Sequence, residues 1–456
     1  MRKNFVILIL LMVCLISCKK GWLDAKPDKA LVVPQTIEDF QALLDNSITI
    51  FNSSQPSLGE IAAGDFYLLN EVWQGLITAT ERDCYVWAED GSYVAGISDD
   101  WNQGYSQILN ANVVLEGISE IKPNSSEKEA WNNVKGSALF YRSFSFYNLA
   151  QIFCKPYVAS TASNDLGIPL RLSSDINERS VRATVGETYE QIISDLLMAK
   201  ELLPATPLYK TRPSKQAVFA LLSRLYLSMQ QYDKCREYSD SCLNIGNSLM
   251  NYNNDPAINP SATYPMAGFN AEVIYQSACL SYGTFSTSRL IVDSSLYQLY
   301  DADDMRRTLF FFMNAGQIRF KGGYNGNRVL FGGLTSAEVY LNRSECHVRS
   351  NNIVTALNDL DTLRIRRMKT GSFVPSIATD MESALRLVLA ERRRELCFRT
   401  LRWIDLRRLN QDSRFQVTLT RNVNNQTYTL LPNDKKYVFP IPNQEIQLSG
   451  IQQNPF

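Results

Sequence analysis

Histidine is nearly absent from this sequence. His347 is the only histidine among 456 residues. Its isolation excludes a histidine-rich metal site and leaves any histidine-based catalytic triad with a single candidate. Because His347 lies within an apolar helical pattern, we expect it to be a packed or surface residue.

The cysteines do not form the pairs that a disulfide framework or a zinc site needs. Of the nine, Cys14 and Cys18 lie near the start of the chain. The other seven contain no C-x-x-C pair: Cys84, Cys154, Cys235, Cys242, Cys279, Cys346 and Cys397. An odd number at irregular spacing excludes both arrangements. We therefore expect buried free thiols, no metal and no cofactor.

The chain also lacks an excess of either charge. It has 46 Lys and Arg against 46 Asp and Glu, or 44 against 46 if Arg2 and Lys3 leave with a signal peptide. This balance gives no attraction to a polyanion, so no nucleic acid is expected as a partner. After the first 18 residues, no apolar run approaches the ~20 residues of a membrane helix.

The start of the chain predicts a lipoprotein signal. A basic pair, Arg2 and Lys3, precedes an apolar run that ends in Leu15-Ile16-Ser17-Cys18. This order is typical of a secretory signal peptide, here residues 1–17, and the last four residues resemble a bacterial lipobox. Each buried acyl methylene contributes ~0.8 kcal/mol, so lipid on Cys18 would hold the mature protein at a membrane. An ordinary secretory signal cut nearby is the alternative.

Helical periodicity dominates the middle of the chain. Residues 217–229 and 234–243 form one predicted helical hairpin, and 336–349 and 353–366 another. Both resemble tetratricopeptide-type units, which bury their faces only by stacking. We expect further pairs between residues 101 and 203, with an all-round apolar helix at 136–153 buried among its neighbours. Thr184 and Glu187 predict a capping box at the start of another helix.

Three stretches break this periodicity. Residues 65–101, 246–330 and roughly the last forty are rich in polar and aromatic residues, and they predict loops and short strands. The fold class is therefore mostly α, with a helical frame and a few short strands.

The arginine-rich stretch at 392–408 is interleaved with acids. Glu391, Glu395 and Asp405 alternate with its arginines, and Leu396 and Trp403 lie among them. We expect helix-surface ion pairs around a buried Trp403 in preference to a polyanion-binding patch.

Many short motifs follow one another in a familiar order. They are Cys18 with Trp22-Leu23-Asp24 and Pro27, Trp101 with Asn112 to Leu115, Gly136 to Arg142, Gly167 to Leu170, Pro213-Ser214, Ala337 to Leu341, Glu391 to Phe398, Arg402 to Arg408, Phe439 to Pro442, and Gln453 to Pro455. Together they resemble the SusD/RagB family over essentially the whole mature chain. Each motif alone is weak, and their number and order carry the resemblance.

The resemblance implies a fold and a function. It implies an outer-membrane lipoprotein of the Bacteroidetes type, facing the cell surface, that captures oligomeric nutrients for a SusC-like TonB-dependent transporter. Glycans are the expected ligand, peptides remain open, and no catalysis is implied. Residues 18–456 would form one SusD-like domain, with an N-terminal part at 18–245, a loop-rich region at 246–330 and a C-terminal part at 331–456.

Two departures from the family pattern stand out. Arg399-Thr400 replaces the acidic residue and glycine usual after Phe398, which questions a local turn. Lys19 and Lys20 follow Cys18 in place of the acidic run often associated with surface export.

Sugar binding favours flat aromatic faces edged by polar groups on loops. Two loop-rich stretches supply such residues. The candidates in the first are Asp65, Tyr67, Trp73, Arg82, Tyr85 and Trp87, and those in the second are Tyr264, Tyr282 and Tyr297.

Two other functions remain open. A glycoside hydrolase needs only two carboxylates, and Asp99-Asp100, Asp303-Asp304 and Glu391 with Glu395 are neighbouring acids. However, adjacent residues on a strand diverge, and acids four apart on an arginine-rich helix are expected to be paired and exposed. The third hypothesis is a tetratricopeptide-like outer-membrane scaffold without a small ligand.

Overall fold

Helices form most of the regular structure in the computed structural model, which describes residues 34–88 and 98–455. Cys18 and the predicted signal peptide lie outside the described residues. The helices are α1 Ile37–Leu44, α2 Leu58–Ala62, α3 Asn70–Gln74, α4 Ala79–Val86, α5 Asp99–Glu120, α6 Lys128–Phe153, α7 Val185–Leu202, α8 Lys215–Ser228, α9 Tyr232–Ile245, α10 Ser294–Tyr297, α11 Arg306–Leu309, α12 Ser336–Arg349, α13 Ile353–Arg364, α14 Met381–Glu395, α15 Leu401–Leu409 and α16 Asn443–Ser449.

The strands are short and pair two by two. They are β1 Phe66–Tyr67, β2 Leu166–Pro169, β3 Arg182–Thr184, β4 Val273–Tyr275, β5 Ile291–Val292, β6 Phe311–Asn314, β7 Gln317–Phe320, β8 Leu334–Thr335, β9 Leu419–Val423 and β10 Gln426–Leu430. Within the described residues they form five antiparallel pairs: β1 with β5, β2 with β3, β4 with β8, β6 with β7, and β9 with β10. These strands attach loops to the helical frame.

Antiparallel helices stack in chain order to make the frame. α6 packs between α5 and α7, α8 pairs with α9, and α12 pairs with α13. α12 also packs against α9 and α14, so the two predicted hairpins stack on each other. The buried middle of α6 confirms its all-round apolar pattern, because its side chains are enclosed from Gly136 to Tyr147. The hairpin bounds agree with those predicted to within two residues, and α12 has the predicted bounds.

The predicted capping box is present at the start of α7. The Glu187 backbone N–H donates to Thr184 Oγ1 at 3.1 Å, and the Thr184 N–H donates to Glu187 Oε2 at 2.8 Å. Each bond satisfies an amide that a helix start leaves without an internal partner. The seven cysteines that the structure describes are buried and free, as predicted.

All three predictions of irregular structure were wrong in part. The stretch 246–330 contains the four-residue helices α10 and α11 besides its loops and strands. The stretch 65–101 contains α3, α4 and the beginning of α5, and the last forty residues contain α16 besides the β9–β10 hairpin. α3 has five residues, too few to show helical periodicity in the sequence. α4 has eight, but its mixed polar and apolar side chains show little amphipathic pattern.

The ion pairs of the arginine-rich stretch are buried, which corrects the expectation of a helix surface. Arg306 contacts Glu391 at 2.6 Å, Glu395 at 2.7 Å and Asp304 at 2.7 Å. Arg367 contacts Glu395 and Glu272, both at 2.7 Å. The interleaved sequence suggested pairing within one exposed helix, whereas partners from distant segments enclose α14. Trp403 is buried as predicted.

These pairs keep buried carboxylates ionised. Burial alone would raise the pKa of Glu391, but Arg306 and Arg394 lower it to about 2. Burial would also raise the pKa of Glu345, but Arg408 lowers it to about 2. Removing one partner of such a pair typically costs about 3–5 kcal/mol, because a buried charge is left uncompensated.

The turn between α14 and α15 forms with Arg399-Thr400 in place of the acidic residue and glycine of the family pattern. Thr400 adopts φ 60° and Phe398 φ 56°, both in the left-handed region. The Thr400 N–H donates to Glu60 Oε2 at 2.8 Å, which holds the turn against α2. A residue with a Cβ costs about 1–2 kcal/mol in this conformation, whereas glycine adopts it freely.

We predict that Thr400→Gly raises the free energy of unfolding by up to about 1 kcal/mol. Relief of the left-handed strain exceeds the extra chain entropy of glycine, and the N–H bond to Glu60 is kept. Urea denaturation midpoints measure the change. Thr400→Ala, which removes the hydroxyl and retains Cβ, is the control and should give no gain. A Thr400→Gly midpoint no higher than that of Thr400→Ala would contradict the strain argument.

Candidate ligand-binding site

Tyr67 is held at the surface by strand pairing. β1 pairs with β5 so that Phe66 lies opposite Val292 and Tyr67 opposite Ile291. Because alternate strand residues face opposite sides, Phe66 is fully buried while Tyr67 is 40% exposed. The Tyr67 ring is therefore available to a ligand.

Trp73 and Arg82 connect the two short helices that follow. The Trp73 indole N–H donates to the Arg82 carbonyl oxygen at 3.0 Å, and the Arg82 guanidinium donates to the Leu76 carbonyl oxygen. Both residues are half-buried. These bonds fix α3 against α4 and leave part of the Trp73 ring at the surface.

Two amide side chains, Asn70 and Gln74, lie on the same helix as Trp73. Gln74 Nε2 donates to Asn424 Oδ1 at 2.9 Å, and the Asn424 backbone N–H donates to Asn70 Oδ1 at 2.7 Å. Asn424 lies in the β9–β10 turn with φ 55°. The sequence analysis did not include Asn70, Gln74 or Asn424, because the pair Gln74–Asn424 spans 350 positions. Aromatic faces edged by amides are suited to hydroxylated ligands.

Three other candidates lie beneath this surface. The Asp65 carboxylate accepts from Arg393 Nε at 2.9 Å, and Tyr85 Oη accepts from the Leu68 N–H at 2.8 Å. The Trp87 indole N–H donates to the Ala62 carbonyl oxygen at 3.2 Å. All three are enclosed, with exposures of 1%, 1% and 4%. In this structure they support the face from below and are not open to a ligand.

One candidate from the later stretch joins the early segment. The Tyr282 ring lies 6.3 Å from that of Phe285, which lies 6.4 Å from that of Phe66. The Tyr282 hydroxyl donates to the Asp100 carboxylate, so this half-buried ring is fixed.

The other two later candidates are half-buried on different segments. Tyr297 Oη accepts from Arg307 Nε at 3.0 Å, and that guanidinium lies 4.8 Å from the ring centroid. Tyr264 lies beside the turn at Gly322. Among the described residues, neither has a hydrogen bond or ring contact to the early segment.

We call Tyr67, Trp73, Asn70, Gln74 and Asn424 the aromatic–amide face.

The His, Cys, Asp and Glu side chains in the described part of the chain are not grouped as metal ligands. No group of three or more His, Cys, Asp or Glu side chains there could hold a metal ion. In the same residues, no helix has both the length and the apolar character needed to cross a membrane.

Glu60 lies buried between α2 and the turn before α15. Its Oε2 accepts the Thr400 N–H, while Oε1 has no partner among the described residues. Burial, and then the nearby Asp65 charge, raise the pKa of Glu60 to about 8. The folded protein therefore holds a proton here that the unfolded chain loses near its ordinary pKa of 4.5.

We predict that raising the pH from 5 to 8 lowers the stability of the wild type more than that of Glu60→Gln. Between pH 4.5 and 8 the folded state binds more protons at Glu60 than the unfolded state, so wild-type stability falls across this window. Gln keeps an acceptor for Thr400 and does not titrate. Tm measured from pH 5 to 8 should fall further for the wild type than for Glu60→Gln. Parallel curves would contradict the assignment, and Glu201→Gln, an exposed site, is the control.

The stacked helical pairs and the short two-stranded sheets define a mostly helical architecture. A family model described as "Starch-binding associating with outer membrane" matches residues 21–227, and the model of the SusD family matches residues 336–456. The two together cover most of the sequence. The chain belongs to the SusD family.

Individual relatives agree over nearly their whole length. SusD-like protein P2 of Formosa agariphila is 24% identical, with 98% of this chain and 97% of that protein covered. A SusD superfamily protein of Bacteroides thetaiotaomicron is 23% identical, with a TM-score of 0.75 and coverage of 92% of this chain and 100% of the other. A SusD-like carbohydrate binding protein of Bacteroides vulgatus is 21% identical, with a TM-score of 0.67 and coverage of 91% and 97%. These structures confirm the predicted fold class.

Proposed function

We propose that this protein is a cell-surface lipoprotein that binds oligosaccharides at the aromatic–amide face and delivers them to a SusC-like TonB-dependent outer-membrane transporter. Family membership supports an outer-membrane role, and one of the two matching family models is described as starch-binding. The observations that carry the proposal are the exposed Tyr67 ring and the half-buried Trp73, which shares α3 with the amide side chains of Asn70 and Gln74. Sugar rings stack their C–H faces on such aromatic surfaces while amides bond to their hydroxyls.

Two of the three neighbouring acid pairs are bound to cationic side chains, which supports binding without hydrolysis. Glycoside hydrolysis needs one carboxyl protonated as a general acid and a second as base or nucleophile. The pKa of Glu391 is about 2, and Arg367 and Arg306 also lower that of Glu395 against the effect of burial. Both carboxylates are completely buried and bound to arginine. Asp303 pairs with Lys369 and Asp304 with Arg306.

We predict that replacing Tyr67 or Trp73 weakens glycan binding. In affinity electrophoresis against a panel of polysaccharides, the wild type should be retarded by one glycan class without forming product. Tyr67→Ala and Trp73→Ala each remove a stacking surface and should weaken binding by tenfold or more. Tyr209→Ala, an equally radical change at a 60% exposed tyrosine on the α7–α8 loop, is the matched control and should bind normally. Circular dichroism checks that each variant is folded.

Other results of that experiment would contradict the proposal. Product formation would favour a hydrolase. Retardation unchanged in both aromatic variants would place glycan binding elsewhere. If no glycan retards the protein but a peptide mixture binds, the ligand is a peptide and not a glycan. If neither binds, the scaffold hypothesis is favoured.

We predict that Cys18 attaches the protein to the outer membrane. Cys18→Ala removes the acylated thiol and should shift the protein from the membrane to the soluble fraction, measured by fractionation and immunoblotting. Cys154→Ala, at a buried free thiol, is the control and should remain in the membrane. Cys18→Ala that stays fully membrane-bound would contradict the anchor.

The partner is tested in the same membranes. Detergent extraction and affinity capture of the wild type should recover a TonB-dependent transporter in a stable complex. A complete absence of such a transporter would contradict delivery to this partner and leave glycan binding to be judged by electrophoresis.

A further inference from the structure

Arg421 on β9 is a buried cation that no carboxylate neutralises. Its side chain is 4% exposed, and it forms no ion pair with a residue that the structure describes. Its two terminal nitrogens donate to the carbonyl oxygens of Phe66 and, at 3.3 Å, of Ile61. Burying a charge is unfavourable unless such bonds compensate for the lost water. Methionine has a similar length and would fill this space without that cost, so what the guanidinium adds is its hold on two carbonyl groups.

Three buried aromatic rings enclose the same guanidinium. Its central carbon lies 4.2 Å from the ring centroid of Tyr85, 5.4 Å from that of Trp87 and 5.5 Å from that of Phe66. Cations are attracted to aromatic faces at these distances. The rings therefore fix the guanidinium in place, and they connect β9 with the segment that carries Tyr67.

Both peptide groups next to Tyr67 are held by this cluster. The Phe66 carbonyl oxygen belongs to the peptide bond before Tyr67 and accepts from Arg421. The Leu68 N–H belongs to the peptide bond after Tyr67 and donates to Tyr85 Oη at 2.8 Å. Because peptide groups are planar, fixing one on each side of a residue fixes the direction in which its side chain leaves the backbone.

The hairpin that carries Arg421 also holds α3. Three residues after Arg421, the Asn424 N–H donates to Asn70 Oδ1 at 2.7 Å, and Asn424 Oδ1 accepts from Gln74 at 2.9 Å. One strand thus contacts β1 through Arg421 and α3 through its tip. The two parts of the aromatic–amide face are joined through this hairpin as well as through the chain between them.

We propose that Arg421 is the positioning residue of the aromatic–amide face. It does not touch the ligand. It holds the backbone beside Tyr67 directly and through Tyr85, while the tip of its own hairpin holds the amides of α3. An oligosaccharide that stacks on Tyr67 and bonds to these amides needs both at a fixed separation, so its affinity depends on Arg421. This role rests on the proposed function, because it concerns binding at that face.

Hydrogen exchange of the mature protein, residues 19–456, tests the positioning without any ligand. Arg421→Met keeps the length of the side chain and removes its donors, so amides in residues 66–75 should exchange about fivefold faster by mass spectrometry. The matched control is Arg407→Met. Arg407 is 2% exposed, donates to the carbonyl oxygens of Ala150 and Cys154, and likewise has no carboxylate partner among the described residues. Its replacement should leave exchange at 66–75 unchanged.

Affinity electrophoresis supplies a second readout that a purely structural role would not move. The probe is soluble starch or, if starch does not retard the wild type, the polysaccharide of the panel that does. Arg421→Met should weaken binding about tenfold, and Arg407→Met should bind normally. Because Arg421 acts largely through Tyr67, Arg421→Met should weaken binding less than about threefold in a Tyr67→Ala background. A general loss of folding would instead weaken binding equally in both backgrounds.

Three results would each overturn the positioning role: unchanged exchange at 66–75 in Arg421→Met, the same increase in Arg407→Met, or a tenfold loss of binding in both backgrounds. Circular dichroism checks folding. If Arg421→Met does not fold, Arg421→Lys, which keeps the charge but cannot reach both carbonyl oxygens, undergoes the same tests. A wild type that binds no glycan would overturn the proposed function alone, because hydrogen exchange still decides whether Arg421 holds residues 66–75.

Discussion

The buried network of arginines and carboxylates around α14 determines how the loop-rich middle of the chain attaches to the helical frame. Arg306 and Arg367 both reach Glu395, and Arg367 also binds Glu272. The Tyr324 hydroxyl donates to Glu272 Oε2 at 2.7 Å and lies 3.1 Å from Glu395 Oε1. Segments near 272, 306, 324 and 367 thus converge on one helix. Because an unpaired buried charge is so unfavourable, these segments have few alternative positions.

The same network indirectly positions the aromatic–amide face. Arg393 follows Glu391 on α14 and binds Asp65, immediately before β1. The Asp65 carbonyl oxygen accepts the Asp293 N–H, which brings the β5 segment alongside. Arg421 on β9 donates to the Phe66 carbonyl oxygen and lies 4.2 Å from the Tyr85 ring centroid. The surface beside β1 therefore rests on buried charged and aromatic side chains.

Local patterns predicted the helical frame well, and long-range contacts explain what they missed. The capping box at Thr184 and Glu187 and both hairpins depend on residues within a few positions, so the sequence was sufficient. By contrast, Arg306 lies 85 positions from Glu391. The alternating charges of α14 predicted an exposed helix, because the sequence does not reveal such distant partners. At the site, sequence singled out Tyr67 and Trp73, while only folding brings Asn424 beside Gln74. Ligand contact by the nine candidates stays a prediction.

The tip of the β9–β10 hairpin lies outside the packed interior of the molecule. Asn424 and Asn425 adopt left-handed backbone conformations in a two-residue turn between paired strands, and both are exposed. The buried side chains of the hairpin, Arg421, Val423 and Leu430, lie outside this turn. Evolution can therefore exchange or lengthen the tip and so alter the surface beside Trp73 while the interior stays intact. One small turn thus gives the scaffold an edge whose side chains can differ without any change in its interior.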